Sequence, residues 1–496
     1  MKRWLCAVLA VCILLCGCSD LPDVSDPVSD TPPVSEVPAT EPLTRMALAY
    51  SHDDTLNPYA TTTAVNAQLT GLLYNGLTEI DSDFSVTFDL AESADLTDPT
   101  HAAVMLRSDR VFSDGSAITA EDVVTSFNEA KKSARYKALL TNLTSAKADQ
   151  KTHTVTFTMA AADPQWMACL SFPVVKGSTL TAEKGMAPVG SGDYVLQTTD
   201  TGAQLIANPH RTPAPNFTEV ELRHLPNHNA RHYALASGEI TYYYNDLTDG
   251  ELPGIAGANR AVPMNALVYV GVNSTRAALS KDTVRQALSN LLDRTAVCTT
   301  AYASWAVPSA QPFHPNWGGL MEEHPIPARD LDGAMAQLDA AGYTPKNGAR
   351  LTLELIYSTD RSDRARVADL VRSQMEGGGV TITPVPLSEE EYRRRLAAGQ
   401  YDLYIGEIRL TADMSLRPLL MGGDASYGIT RSTAAAVAYG QYLSGEIERS
   451  DFLAAFAADL PYIPVCWRHG LAAYDRRLTT VTPDGYDPYS GFAAWK

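Results

Sequence analysis

Cysteine is scarce in this 496-residue chain: seven in all, and four of them, Cys6, Cys12, Cys16 and Cys18, fall near the N-terminus. The other three, Cys169, Cys298 and Cys466, stand singly, a spacing that excludes a zinc knuckle and a CxxC redox pair and reads as buried small hydrophobes with at most one disulfide. Basic residues are also few. Lys+Arg number 39 against 57 Asp+Glu, a formal net charge of -18, which excludes nucleic acid and acidic membrane surfaces as direct partners because they repel it. Catalytic signatures are missing as well. There is no HExxH, Gly190-Ser191-Gly192 lacks the glycine two before serine that a nucleophile elbow needs, and Glu322-Glu323-His324 has no second histidine at metalloprotease spacing.

What is present begins with a processing signal. Lys2 and Arg3 precede an almost wholly apolar run at residues 4–16, too short for a full membrane span and of the length of a signal-peptide core. Its end, Leu15-Cys16-Gly17-Cys18, resembles the bacterial lipobox, which implies cleavage after residue 17 and lipidation of Cys18. The protein is therefore expected to be extracytoplasmic, anchored to the cell membrane through lipid only. Residues 18–44 read as a disordered tether: six acids, Asp20, Asp23, Asp26, Asp30, Glu36 and Glu41, six prolines and no base bury too little surface to offset ordering entropy. From Arg45 onward 37 bases face 51 acids, so the globular part keeps a net charge of -14.

The C-terminal half shows an alternating pattern. Leu351 to Tyr357 reads as a strand, Arg364 to Met375 as a helix stopped by Gly377-Gly378-Gly379, Val380 to Val385 as a strand, Ser388 to Ala398 as a helix with Ser388 as cap and Glu391 completing a capping box, and Tyr401 to Ile408 as a strand. Such succession implies a largely parallel sheet with right-handed crossovers, and ligands of these sheets bind beyond the carboxyl ends of the strands. That rule nominates Ser358 and Thr359, which lead to a helix N-terminus, and Glu407 and Arg409. Earlier in the chain, Thr119 with Asp122 caps a helix through Val123 and Phe127, and Ser280 precedes a helix carrying Val284, Ala287 and Leu288.

Taken in order, several segments resemble the extracellular solute-binding proteins of ABC importers, the family that includes oligopeptide-, dipeptide- and nickel-binding lipoproteins. They are Asp54-Thr55-Leu56-Asn57-Pro58, Leu73-Tyr74-Asn75-Gly76-Leu77, Leu90-Ala91-Glu92-Ser93, the run Val111 to Phe127, and Pro188-Val189-Gly190-Ser191-Gly192-Asp193-Tyr194. Ser237-Gly238-Glu239-Ile240, Tyr269-Val270-Gly271-Val272-Asn273, Val284-Arg285-Gln286-Ala287-Leu288 with Asp293-Arg294, and Pro461-Tyr462-Ile463-Pro464 continue the series. The resemblance implies an α/β, two-lobed periplasmic-binding-protein-like fold of class II with an extra subdomain on the first lobe. Lobe I would comprise 46–75, 188–266 and 470–496, the subdomain 76–187, and lobe II 267–469. It further implies a monomer that captures a peptide or other small polar solute between its lobes and delivers it to a membrane permease. The alternatives are a nickel-type chelate-binding protein or a membrane-tethered hydrolase.

The ligand class departs from the peptide-binding members. Where they carry a tryptophan and then an aspartate that pairs with the peptide ammonium, this chain has Glu407 and Leu410, with Asp413 as an offset substitute. Arg409 beside a helix N-terminus points instead to an anionic ligand group. Aromatic candidates for the cleft are Tyr242 and Tyr244, on one face of a strand that ends at Asn245, together with Trp305 and Tyr427.

No cofactor or resident metal is expected. His52, Asp53 and Asp54 offer ligand atoms, but a strand would point adjacent residues to alternate sides. His224, His228 and His232 recur every four residues, yet Pro226 interrupts any helix through His224. Only His228 and His232 can share a face, and two imidazoles alone form an incomplete site.

Overall fold

The structure is a computed structural model, and it describes residues 43–199, 202–250, 257–430, 432–483 and 487–496. The expected signal, Cys18 and nearly all of the tether lie outside these residues. Among the described residues no helix is long and apolar enough to cross a membrane.

One mixed sheet organises the chain. Its strands run, side by side, Val380–Leu387, Leu351–Ser358, Leu403–Arg409, Ala258–Val272, Tyr462–Tyr474, Tyr242–Asn245, Met46–Tyr50, Glu219–His224, Gly202–Ala207 and Tyr194–Thr199, with Ala306–Pro308 added beside Tyr462–Tyr474. The strand-helix-strand-helix-strand pattern at 351–409 forms as its periodicity predicts, with helices Ser362–Glu376 and Glu389–Ala397 between parallel strands. Ser388 caps the second helix by accepting the Glu391 N–H at 3.3 Å, but Glu391 turns to Arg394 instead of closing the box. The Thr119–Asp122 box closes in both directions. Ser280 does not cap the helix Asp282–Asn290; its hydroxyl bonds back to the Ala277 carbonyl.

The two longest strands, Ala258–Val272 and Tyr462–Tyr474, join the halves of the sheet. The last residues of the first pair with Leu403–Arg409, and the last residues of the second pair with Tyr242–Asn245. They pair with each other along their length with two slips in register, one between Pro263 opposite His469 and Leu267 opposite Trp467, the other between Val268 opposite Cys466 and Tyr269 opposite Pro464. Met264, Asn265 and Ala266 therefore bulge opposite Arg468, at the crossing between the halves. A bulge disrupts the ladder locally and bends its strand, so the sheet changes direction at the crossing.

Alternation covers both faces beyond the crossing. Val268, Val270 and Val272 enter a core with Leu355, Val367 and Val371, while Leu267 and Tyr269 enter another with Ile356, Tyr404 and Tyr462. In the other half, Leu48, Leu69, Tyr194, Leu222 and Trp495 form a third core. A separate four-stranded sheet, Ala91–Asp98, His101–Leu106, Thr154–Met159 and Leu143–Asp149, packs with helix Ala120–Lys132 around Val104, Phe127 and Phe157. Cys169, Cys298 and Cys466 are free and buried, as expected of small hydrophobes.

Candidate functional site

Beside the bulge lies a cavity of about 480 Å³, enough for a small solute or short peptide. Distant parts of the chain meet there, among them helix Ala64–Leu73 with the turn after it, Arg135 and Tyr136 past the Ala120–Lys132 helix, Met264 and Asn265 of the bulge, and Arg409 and Thr411 at and past the end of strand Leu403–Arg409. The bulge is fixed to its neighbour at this point, since the Leu410 N–H donates to the Asn265 carbonyl at 2.7 Å and Asn265 Nδ2 to the Thr411 carbonyl at 3.0 Å.

The cavity carries both signs of charge. Arg135 is held by the end of helix Ala64–Leu73, donating through Nη1 to the Ala67 carbonyl at 2.6 Å and to Thr70 Oγ1 at 3.3 Å. Asp487 leans on the same helix at Gly71, where an added Cβ would collide with Asp487 Oδ2. Its Oδ1 accepts the Tyr489 N–H at 2.9 Å, and burial raises its pKa against that bond and the charge of Arg135. Burial and the nearby carboxylates Asp89, Asp81 and Asp487 likewise raise Glu79. Burial raises Asp89 too, although Arg110 lies 3.1 Å away. Raised values mean that these carboxylates gain from a cationic neighbour they do not fully have.

Of the residues nominated from sequence, Tyr244 and Arg409 line the cavity. Tyr244 lies over Gly470, close enough that a Cβ there would collide with its hydroxyl. Arg409 Nη2 pairs with Asp246 Oδ2 at 3.3 Å. The others are placed elsewhere, each for a local reason. Tyr242 does share a face with Tyr244, but it is wholly buried, its ring 4.9 Å from Trp495 and 5.2 Å from Tyr489. Asn245 is buried and accepts the Leu247 N–H at 2.8 Å. Trp305 packs beside Leu247 and Tyr302, outside the cavity. Tyr427 packs edge-on to Tyr404 at 6.3 Å.

The expected anion site at the N-terminus of helix Ser362–Glu376 is closed. The turn at Gly250 covers it: Ser362 Oγ donates to the Gly250 carbonyl at 3.0 Å and Arg366 Nη2 to the same oxygen at 2.8 Å. The buried acid Asp363, in the first helical turn, already supplies negative charge there. Ser358 is buried, and exposed Thr359 bonds the Leu387 carbonyl at 3.1 Å. Glu407 does not pair with Arg409. It accepts from Arg361 at 3.0 Å and from Arg468 at 2.9 Å; burial pushes its pKa up, and the two guanidinium groups outweigh that and hold it below the usual value.

Asp413 also lies away from the cavity. It accepts from Thr411 Oγ1, with Cys169 Sγ 3.8 Å away, and burial together with the charge of Asp163 raises its pKa to about 6. Beside it Arg417 reaches Asp163 at 3.3 Å. These bonds join the 163–169 segment to the 411–417 loop.

Sequence reasoning missed Arg135, Glu79, Asp89 and Asp487. Arg135 and Asp487 carry no local signal, because one follows a helix that reads as structural and the other comes from the far C-terminus. Asn75 and Gly76, at the cavity edge, belong to Leu73-Tyr74-Asn75-Gly76-Leu77, one of the segments that carry the family resemblance.

Residues 85–418 match the family model of bacterial extracellular solute-binding proteins, family 5. The chain belongs to this family. Among curated relatives, the glutathione-binding protein GsiB of Shigella flexneri is 25% identical over 397 residues, 74% of this chain and 76% of its own length. The GsiB of Escherichia coli strain K12 matches to the same extent, 25% over 397 residues. Among solved structures, the periplasmic murein tripeptide-binding protein MppA in its unliganded open form superposes with a TM-score of 0.76 at 17% identity, covering 90% of this chain and 96% of that one. NikA from Brucella suis with Fe(III)-EDTA gives 0.67 at 19% identity, covering 90% and 99%. The oligopeptide-binding protein AppA from Bacillus subtilis with a nonapeptide gives 0.59 at 18%, covering 92% and 99%. The family 5 chain therefore has the α/β two-lobed periplasmic-binding-protein fold and is an extracytoplasmic solute-binding protein of an ABC importer.

Proposed function

We propose that the protein is lipid-anchored through Cys18, captures a peptide or other small zwitterionic solute between two lobes, and passes it to a membrane permease. The observation that carries this reading is the cavity at the bulge, which Arg135 and Arg409 line together with Glu79, Asp89 and Asp487. A ligand with an ammonium group at one end and a carboxylate at the other complements such a wall, with Arg offering two parallel donors to the carboxylate. The described lining residues include neither histidine nor cysteine, so they favour an organic solute over a directly ligated transition metal. Tyr244 and Arg409 touch the ligand in this proposal.

The proposed lobes are 46–75, 188–266 and 470–496 for lobe I, with 76–187 as its subdomain, and 267–469 for lobe II. The bulge at Met264–Ala266 supports a hinge between them, since the two long strands that join the halves of the sheet slip in register there. The deciding experiment is mass spectrometry of whatever is released on denaturing freshly purified protein, followed by X-ray scattering with the recovered compound added back. A bound peptide or amino-acid derivative and a compaction on re-addition are expected. An empty protein that shows no compaction with a broad peptide library refutes the proposal.

A further inference from the structure

Strand Met46–Tyr50 lies parallel to strand Glu219–His224 with Tyr50 opposite His224. Two residues beyond Tyr50 the chain turns, and the fold brings together three side chains that the sequence separates into two groups. Asp54 leaves this group: its Oδ2 accepts from Thr61, Thr62 and Thr63 and fixes the start of helix Ala64–Leu73. His52 and Asp53 stay at the strand end, where His224 joins them. His52 Nε2 lies 3.3 Å from Asp53 Oδ1, and His224 Nε2 lies 3.6 Å from Asp53 Oδ2. The imidazole rings are 3.7 Å apart between centroids, and one ligand atom from each of the three residues falls within 4.8 Å of the others.

We propose that His52, Asp53 and His224 form a site for one divalent transition-metal ion of the zinc, nickel or copper class, on the exposed end of the first parallel strands and separate from the solute cavity. Two imidazoles and one carboxylate are donors suited to these ions, with water completing the shell. The convergence favours a cation over simple ion pairing. The carboxylate lies between the two rings, with one of its oxygens near each Nε2, so one atom from each residue can reach a common centre. A single dication gives all three groups one partner. The side chains are exposed by 55%, 63% and 35% for His52, Asp53 and His224, so a hydrated ion can reach them.

The backbone organises the group before any ion arrives. The Leu225 N–H donates to the Tyr50 carbonyl at 2.9 Å, holding the two strand ends together, and the His52 N–H donates to His224 Nδ1 at 3.2 Å. That last bond leaves the neutral ring's proton on Nε2, toward Asp53. Coordination through Nε2 shifts the proton to Nδ1 and gives up the bond to His52, so the affinity falls below that of a closed structural zinc site. His232 turns to another neighbour, its Nδ1 lying 3.5 Å from the Tyr243 hydroxyl.

Calorimetric titration of the full chain with NiCl₂ and with ZnSO₄ tests this. One ion per chain is expected, with at least a tenfold weaker affinity in His52→Ala and in His224→Ala, and unchanged affinity in the His228→Ala, His232→Ala double variant. Copper(II) electron paramagnetic resonance adds a readout that does not depend on affinity: two imidazole nitrogens in the parent and one in His52→Ala, an exposed change that leaves the core intact. No heat in the parent, undiminished binding in the His52 and His224 variants, or loss confined to the double variant overturns the proposal.

Discussion

Arg468 Nη1 donates to Glu407 Oε1 at 2.9 Å while its Nη2 donates to the Asp246 carbonyl at 3.0 Å, so one guanidinium ties the strand at 403–409 to the turn after strand Tyr242–Asn245. Arg468 is 2% exposed and sits opposite the bulge. Replacing Arg468 with Met removes a buried partner of Glu407 and takes a charged donor from the carbonyls of Asp246 and Leu247, the second of which keeps the Gly250 N–H at 3.1 Å. Urea unfolding should show a loss of about 3–5 kcal/mol. Arg468→Met combined with Glu407→Gln should be less destabilised than the single variant, because Arg361 then faces Asp363 alone and the buried group is again balanced in charge.

Asp413 predicts a pH dependence with a definite sign. Its folded pKa of about 6 lies above the ordinary 3.8, so the folded protein holds the proton more tightly than the unfolded chain does. This group's contribution is therefore full below pH 3.8, is lost as pH rises toward 6, and stays lost above it. Asp413→Asn should raise the melting temperature at pH 7.5, by the equivalent of about 3 kcal/mol, and the gain should vanish near pH 4. A gain independent of pH would rule out titration of Asp413 as its source.

Gly192 supplies a packing test. A Cβ there would collide with the Leu73 carbonyl carbon and stand 2.5 Å from the Leu72 carbonyl oxygen, both main-chain atoms that cannot step aside. Gly192→Ala should cost about 3 kcal/mol in chemical denaturation. The glycines around Ser191 thus serve the close approach to helix Ala64–Leu73, and the Ser191 hydroxyl bonds Asn75 Oδ1 at 3.2 Å.

For the cavity, Arg409→Gln should weaken binding of the recovered solute about tenfold in calorimetric titration, the effect of removing one charge-assisted hydrogen bond. Amidating a carboxylate on that solute should weaken the parent equally and the variant no further. Additive effects would place the carboxylate elsewhere, with Arg135 as the next candidate.

The strands and helices at 351–409 were legible because each rests on neighbours in sequence: apolar period, Ser388 as cap, a glycine stop after Glu376. The cavity was legible only at Tyr244 and Arg409. Of the two strand ends nominated, that of Leu403–Arg409 opens on the cavity, whereas past Ser358 the Gly250 turn, more than a hundred residues earlier, covers the adjoining helix. Alternation placed Tyr242 and Tyr244 on one face correctly. It had no means of showing that Trp495 and Tyr489 would bury the first and leave the second at the cavity.

The central strand Tyr462–Tyr474 has a temporal meaning. It lies between Ala258–Val272 and Tyr242–Asn245, so the sheet stays split into two unjoined pieces until almost the whole polypeptide has been made. Long-range pairing of this kind forms slowly, because distant segments must meet before any contact rewards them. Neither piece can be closed onto the other before residues 462–474 arrive, so joining the two is the last step in building this sheet.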